Sequence, residues 1–373
     1  MSRPHDGHPF SSFFGNHFRM VIRKRLSSFN SKHSHALKVF ETSLADRLKQ
    51  LQLTKPKGFI NLAWMQQATE VLCATHKDLR SFIADLQFPL TKWDKKWIDE
   101  YLDDSLKLLD ICNLLNAETS KLEISKLSVQ YVLHLLDFSG GVPPCDKVSR
   151  AKDTLQDLTG ETKAEGKSGK LKTISKAESC TAILHGMNKS FHLGKKKCSS
   201  KGKLFMRAMY GVKVITLFVC SILTSALSGS ADSLGELHIP ERFLWSASFR
   251  SLQQEVNEDT KNGSTKAPVL KELEDLDAAV KSVHLVIQTS CIGILEGKGK
   301  AVQVPEELEE VVQIREGVKE LRDSVEMLSN GLDSLKNQVN EFFQIVLNGR
   351  NELLESLRVS DDTDTFENGV GQD

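Results

Sequence analysis

Apolar residues return every three or four positions along most of this chain, which is the period of a helix that buries one face. The longest unbroken run is Val311, Ile314, Val318, Leu321, Val325, Leu328, Leu332, Leu335, Val339, Phe342 and Val346. It amounts to about five heptads of an a/d seam. A seam of this kind either packs into its own bundle or recruits another chain. Val318, Leu321, Val325, Leu328, Leu332, Leu335, Val339 and Phe342 are therefore the candidate partner surface. Gly317 and Gly331 lie off the seam and should weaken this helix locally. Just upstream, Leu273, Leu276, Val280, Val283, Ile287 and Ile294 mark another helix, with Pro268 at its start. The short link between the two predicts an antiparallel hairpin.

Three more stripes lie in the first third. Leu37, Phe40, Leu44, Leu48 and Leu51 form one; Met65, Leu72, Leu79, Ile83 and Leu86 form the second. The third runs from Trp93 and Trp97 through Tyr101, Leu109 and Leu115, and continues to Leu136. Turn chemistry at residues 54–58, at Pro89 and at 139–144 separates them. The pattern predicts an all-α fold: an elongated helical bundle with long antiparallel helices and one central apolar helix. The expected division is a disordered arm (1–34), a helical region (35–138), a flexible Gly/Lys-rich linker (139–176) and a basic segment (177–207). An apolar helix (208–228), a C-terminal helical region (229–357) and an acidic tail (358–373) complete it. Within the C-terminal region a short helix is expected over 240–252, followed by a polar loop over 257–266.

The apolar helix changes the picture. No acidic residue lies between Glu178 and Asp232, and Lys195, Lys196, Lys197, Lys201, Lys203 and Arg207 lead directly into residues 208–228. Cations beside an apolar run of about 20 residues are how a chain meets an anionic membrane face. These six residues are the candidate lipid-binding set. The run itself admits three placements. It spans the bilayer, inserts shallowly, or forms the core helix of a bundle, since only Val214–Leu227 is uninterrupted and Lys213 sits inside it.

Charge is balanced overall, 49 basic against 49 acidic residues, but residues 301–373 carry 17 acidic against 6 basic. The two ends thus offer two binding faces, or attract each other. The seven cysteines are scattered and contain no C-x-x-C, which speaks against a disulfide framework or structural zinc. Cys198, beside the basic cluster, is either a palmitoylation site or a plain surface thiol. The N-terminal arm, rich in Ser, Phe, His and Arg, reads as a partner-docking tail or as a transit peptide.

Candidate chemistry is sparse. His76, His134, His185, His192, His238 and His284 have no carboxylate or Cys partner at ligand spacing. Asp103-Asp104 resembles half of an acidic Mg²⁺ motif, but adjacent carboxylates point about 100° apart on a helix and no second motif follows. Gly297-Lys-Gly299 lacks phosphate-loop spacing, and no aromatic residue interleaves the Lys run as nucleic-acid binding would need. No catalytic residue, metal ligand or cofactor is expected from the residues themselves.

Several blocks do carry a resemblance. They are Arg3-Pro4, Phe14-Gly-Asn-His-Phe-Arg-Met20, Phe40-Glu-Thr-Ser-Leu-Ala-Asp46, Leu62-Ala-Trp-Met65 and Leu72-Cys-Ala-Thr-His-Lys77. Trp93-Asp-Lys-Lys-Trp-Ile98, Tyr101-Leu-Asp103, Lys107-Leu-Leu-Asp-Ile-Cys-Asn113, Ala208-Met-Tyr-Gly-Val-Lys213 and Ala226-Leu-Ser-Gly229 continue them. Together they resemble the plant BYPASS family, which overlaps the ROH-type exocyst-binding proteins. The resemblance implies an all-helical, non-enzymatic regulator. BYPASS members restrain a mobile root-derived signal that arrests shoot growth, and ROH-type members are tied to exocyst-dependent secretion. The expected function is a regulatory adaptor of plant development at the cytosolic face of the endoplasmic reticulum or plasma membrane, with cytoplasm or plastid as the alternative. Its expected partners are proteins, an exocyst subunit among them, and anionic membrane lipid, with no nucleic acid and no small-molecule cofactor. Two rival readings stand beside it: a soluble exocyst-associated adaptor, and an enzyme of carotenoid-derived signal metabolism. A large pocket lined by convergent polar groups would favour the enzyme.

Overall fold

Asn61 and Glu272 together start the helix around which the rest is arranged. The Asn61 side chain accepts from the Trp64 amide at 2.7 Å, as an N-cap does. The Glu272 carboxylate, from a distant helix, accepts from the Leu62 amide at 3.0 and 3.1 Å. The Lys271 amide in turn donates to the Ile60 carbonyl at 3.2 Å. A negative group at a helix N-terminus is favourable, so one carboxylate both caps this helix and joins it to another.

The computed structural model describes residues 13–52, 60–86, 95–159, 176–189, 199–228, 236–262, 270–295 and 309–367. Among these residues every regular element is an α-helix. In chain order they are α1 (Phe13–Gln52), α2 (Leu62–Asp85), α3 (Lys95–Leu135), α4 (Cys145–Thr159), α5 (Lys176–Lys189), α6 (Ser200–Ser228), α7 (Ser246–Asn262), α8 (Lys271–Leu295) and α9 (Glu309–Glu367). At about 1.5 Å per residue α9 is close to 90 Å long, which makes the bundle elongated.

Polar contacts along α9 read out the register. Ser334 and Lys77–Glu341 tie it in parallel to α2, through Gln66 at 2.9 Å and the ion pair at 2.9 Å. Lys126–Ser329, Glu123–Lys336 and Ser105–Arg350, each at 3.0 Å, tie it antiparallel to α3. The order of Leu62 beside Gly331 and Val283 beside Gly317, with Glu272 at Leu62, makes α8 antiparallel to α9 as the hairpin predicted. On the opposite side α6 packs against α1, α2, α3 and α5. Thus α2 and α3 form a middle layer between α9 with α8 on one side and α6 with α1 on the other.

Gly317 and Gly331 of α9 turn out to be sites of close approach. A Cβ on Gly331 would stand 2.5 Å from Leu62 Cδ1 and 2.8 Å from Leu62 Cβ. Gly331→Val should therefore lose about 1–3 kcal/mol of stability by overpacking. Gly186→Ala, on α5 with nothing within 4 Å of the new carbon, should gain up to about 1 kcal/mol from helix propensity. Urea unfolding midpoints of the two variants, moving in opposite directions, check the contrast.

Some predicted boundaries shift. α1 begins at Phe13, so residues 13–34, expected as a disordered arm, are helical. The 139–176 linker contains α4, whose buried Ala151 and Leu155 sit one turn apart and seat it on α3 and α8. The helix expected over 240–252 is displaced to Ser246–Asn262, because Phe243 and Trp245 leave the helical path to pack on Tyr210. α9 continues to Glu367, into the segment expected as an acidic tail. The turn at residues 54–58 and the last residues, 368–373, lie outside the described residues.

Candidate functional site

Every residue of α6 from Ala208 to Leu227 is buried. The apolar run is thus the central helix of the bundle, and its polar members must find partners there. Lys213, with 6% of its side chain exposed, places Nζ 2.7 Å from Asp104 Oδ2 and 3.2 Å from Glu100 Oε1. One turn on, Thr216 donates its hydroxyl proton to the Val212 carbonyl at 2.7 Å. The His76 Nε2 at 3.0 Å from the same hydroxyl must then be the donor, which leaves Nδ1 unprotonated. The imidazole stands edge-on to Phe342 of α9, with ring centroids 5.0 Å apart. Thr224 likewise bonds back to Cys220 and meets Cys180 Sγ of α5 at 3.0 Å.

This polar layer surrounds a cavity of about 30 Å³ lined by His76, Tyr101, Asp104, Ser105, Lys213 and Thr216, with apolar walls. That is room for about one or two waters. Burial sets the titration of its members. The His76 pKa falls to about 4, and the Tyr101 phenol is pushed up to about 12. Burial also raises Asp104, against the opposing pull of Lys213. The buried thiols of Cys73 and Cys112 rise to about 12, and that of Cys180 to about 11, so they stay protonated and unreactive at neutral pH. The layer holds helices in register. What it can do chemically is take up a proton when the pH falls.

The acid pair splits as its geometry required. Asp104 turns inward to Lys213, while Asp103 faces outward and pairs with Lys107 at 2.5 Å. Among the described residues no three His, Cys, Asp or Glu converge to hold a metal ion.

The candidate lipid set is dispersed. Lys195, Lys196 and Lys197 lie outside the described residues. Lys201 donates to the Leu86 carbonyl at 2.7 Å and so closes the C-terminal end of α2. Arg207 grips the buried Glu41 of α1 through two bonds, 2.5 and 3.0 Å long, and also donates to the Arg242 carbonyl at 2.8 Å. Both cross-link the bundle, and Lys203 is left exposed on the surface. The seam meets a similar end: Val318, Leu321, Val325, Leu328, Leu332, Leu335, Val339 and Phe342 are all buried. They face α2, α3 and α8 of their own chain rather than a free surface. Trp97 is buried as well, and Trp93 lies outside the described residues.

The pairs Lys213–Asp104, Arg207–Glu41 and His76–Thr216 were not read from sequence. For the first there was a signal: a lysine inside an apolar run needs a carboxylate, and Glu100 and Asp104, one turn apart on α3 between Trp97 and Leu108, were placed to supply it.

The family model described as Protein ROH1-like matches residues 9–204 and 159–357. Protein BPS1, chloroplastic, from Arabidopsis thaliana is 35% identical over 365 residues, covering 96% of this chain and 93% of that protein. UPF0496 protein 4 from Oryza sativa subsp. japonica is 37% identical over 297 residues, 78% of this chain. The match spans 62% of the rice protein's own length. Protein ROH1D from Arabidopsis thaliana is more distant, 20% identical over 365 residues. No solved structure matches. With the family model covering most of its length, the chain belongs to the ROH1-like family and is a BPS1-like member of it.

Proposed function

We propose that this protein is a non-enzymatic regulator of plant development. It acts as an adaptor at the cytosolic face of a membrane and restrains a mobile root-to-shoot signal. The observation that carries the adaptor reading is the interior of the bundle. Its buried Lys213, Asp104 and Glu41 are held in ion pairs, its buried thiols are protonated, and the cavity at its polar centre has a volume of about 30 Å³. The larger space, about 430 Å³, is an open surface groove between α1 and α2 lined by Arg47, Gln50, Gln67 and Glu70, without the enclosure that holds a small metabolite for reaction. α6 stays inside, because releasing it would strand Lys213 and expose the apolar faces of α1, α2, α3 and α5 that now cover it. Membrane contact is then peripheral, through the basic segment around Lys195, Lys196 and Lys197. Protein partners, an exocyst subunit among them, meet the outer faces of the long helices. The relative named Protein BPS1, chloroplastic, favours a plastid as the second reading of location.

Fractionation of plant tissue expressing the full chain tests the membrane half. The protein is expected with the membranes at low salt and in the soluble fraction after alkaline carbonate. Replacing Lys195, Lys196 and Lys197 with Ala should cut membrane recovery, more so at moderate salt. Unchanged recovery would remove the basic segment from the reading, and resistance to carbonate would put α6 across the bilayer. Grafting tests the developmental half: roots lacking the protein should arrest a normal shoot, and normal growth of that shoot would end the signalling reading.

A further inference from the structure

The turn that leads into α7 presents an apolar side chain on a rigid mount. Phe243 is 2% exposed and Trp245 is fully buried, yet Leu244 between them is 51% exposed. Phe243 stacks on Tyr210 of α6, centroids 4.7 Å apart and rings 6° from parallel. Trp245 meets Phe249 edge-on. The Leu244 amide donates to Glu41 at 3.3 Å, and Arg207, held by the same carboxylate, binds the Arg242 carbonyl at 2.8 Å. The backbone leading up to Leu244 is therefore tied to α1 and α6, the rings on both sides of it are packed inside, and the leucine points outward from a fixed base.

Three exposed cations belong to this turn and to the two helices that hold it. Arg242 precedes Leu244 and is exposed. Lys203 lies one turn before Arg207 on the same face of α6, and Lys38 one turn before Glu41 on the same face of α1; both are exposed. α1 and α6 run side by side here, with Glu41 against Arg207 and Leu44 against Gly211. Lys38 and Lys203 thus lie on the same side of the turn, at the level where α6 begins and past which α1 continues toward Phe13. The acidic member of the turn, Glu241, is exposed and pairs with Arg250 at 3.6 Å.

We infer that this face of the bundle docks on an anionic phospholipid bilayer, with Leu244 as the inserted tip and Arg242, Lys203 and Lys38 meeting the headgroups. The inference rests on the membrane reading above and adds its point of contact. A bilayer suits the geometry because it accepts one projecting leucine without a complementary pocket and matches these cations in charge. A protein partner of ordinary affinity would need a broader apolar face than one side chain supplies.

Flotation of the purified full chain with phosphatidylcholine vesicles, with and without phosphatidylserine, tests it. The unaltered protein should bind only the vesicles that contain phosphatidylserine. Leu244→Gln should weaken that binding about fivefold, and Leu244→Trp should strengthen it. Arg242→Gln and Lys203→Gln should each cost about fivefold and flatten the salt dependence. Leu244 is exposed, so matched unfolding midpoints will show the variants folded. Suppose both Leu244 exchanges and both charge exchanges bind like the parent, while the Lys195, Lys196 and Lys197 replacement does not. This face is then not the contact, although the membrane reading stands. Loss with the charge exchanges alone would mean headgroup contact without insertion, which overturns the tip. Equal binding to phosphatidylcholine alone overturns the role of the cations. Failure of the unaltered protein to float with phosphatidylserine overturns both proposals together.

Discussion

Replacing Lys213 with Ala should cost about 3–5 kcal/mol of folding stability, the range found when one partner of a buried ion pair is removed. Lys213 is the buried cation in the middle of α6, and its ammonium answers Asp104, whose side chain is only 9% exposed, together with the more accessible Glu100. Without it, Asp104 must either stay charged in a poorly solvated site or take up a proton. Burial already raises its pKa, so protonation is the cheaper course, and it limits the loss. Asp104→Asn should cost less, because Glu100 still faces the lysine at 3.2 Å. The double change Lys213→Met with Asp104→Leu should recover most of the loss, since a well-packed apolar pair often equals a buried ion pair. Urea unfolding at neutral pH measures all three. A loss under about 1 kcal/mol for Lys213→Ala would mean that the pair behaves like a surface salt bridge and is not a buried one.

Acid should weaken the fold through His76. Its folded pKa is about 4 against an ordinary value of 6.5, because burial disfavours the imidazolium. The unfolded chain therefore binds this proton first as the pH falls. The contribution of neutral His76 is complete above pH 6.5 and is lost as the pH drops toward 4, a total of about 3 kcal/mol. Geometry agrees: Nε2–H is spent on Thr216, and a second proton on Nδ1 would have to sit beside Phe342 in the polar layer with Lys213 nearby. Asp104 works with the opposite sign. Its raised folded pKa means that the native state takes up a proton ahead of the unfolded chain, which offsets part of the loss. His76→Gln isolates the histidine. It should lower stability modestly at pH 7.5, through the altered contact with Thr216, and flatten the decline between pH 6.5 and 4. A decline between pH 6.5 and 4 that is as steep in His76→Gln as in the parent would show that the imidazole is solvated.

The helices themselves were legible from the chain, and the reason is periodic. The stripes Leu37–Leu51, Met65–Leu86 and Val311–Val346 each put their apolar residues on one face, and every seam residue from Val318 to Phe342 is buried as the pattern required. The capping chemistry was less visible. Glu272 caps α2 across 210 positions of sequence, and spacing rules reach only a few residues. α4 was hidden in the linker for a different reason. Its polar composition resembled its neighbours, and only the short stripe of Val148, Ala151, Leu155 and Leu158 set it apart.

The candidate surfaces were harder to see, because exposure is a property of neighbours. Lys201, Lys203 and Arg207 are alike in sequence, yet one closes a helix end, one faces solvent and one grips Glu41. Leu244 carried no signal at all: between two aromatic residues it reads as core, and only the anchoring of Phe243 and Trp245 turns it outward.

The sequence alone determined an all-helical chain, because backbone hydrogen bonding and a period near 3.6 leave an amphipathic stripe few other forms. Its matching blocks also pointed to the family. Only the tertiary structure decided that the apolar run of α6 is enclosed by four other helices. Length and hydropathy are the same for a core helix and a membrane span. The difference lies in whether partners such as Asp104 and His76, distant in sequence, arrive to satisfy Lys213 and Thr216.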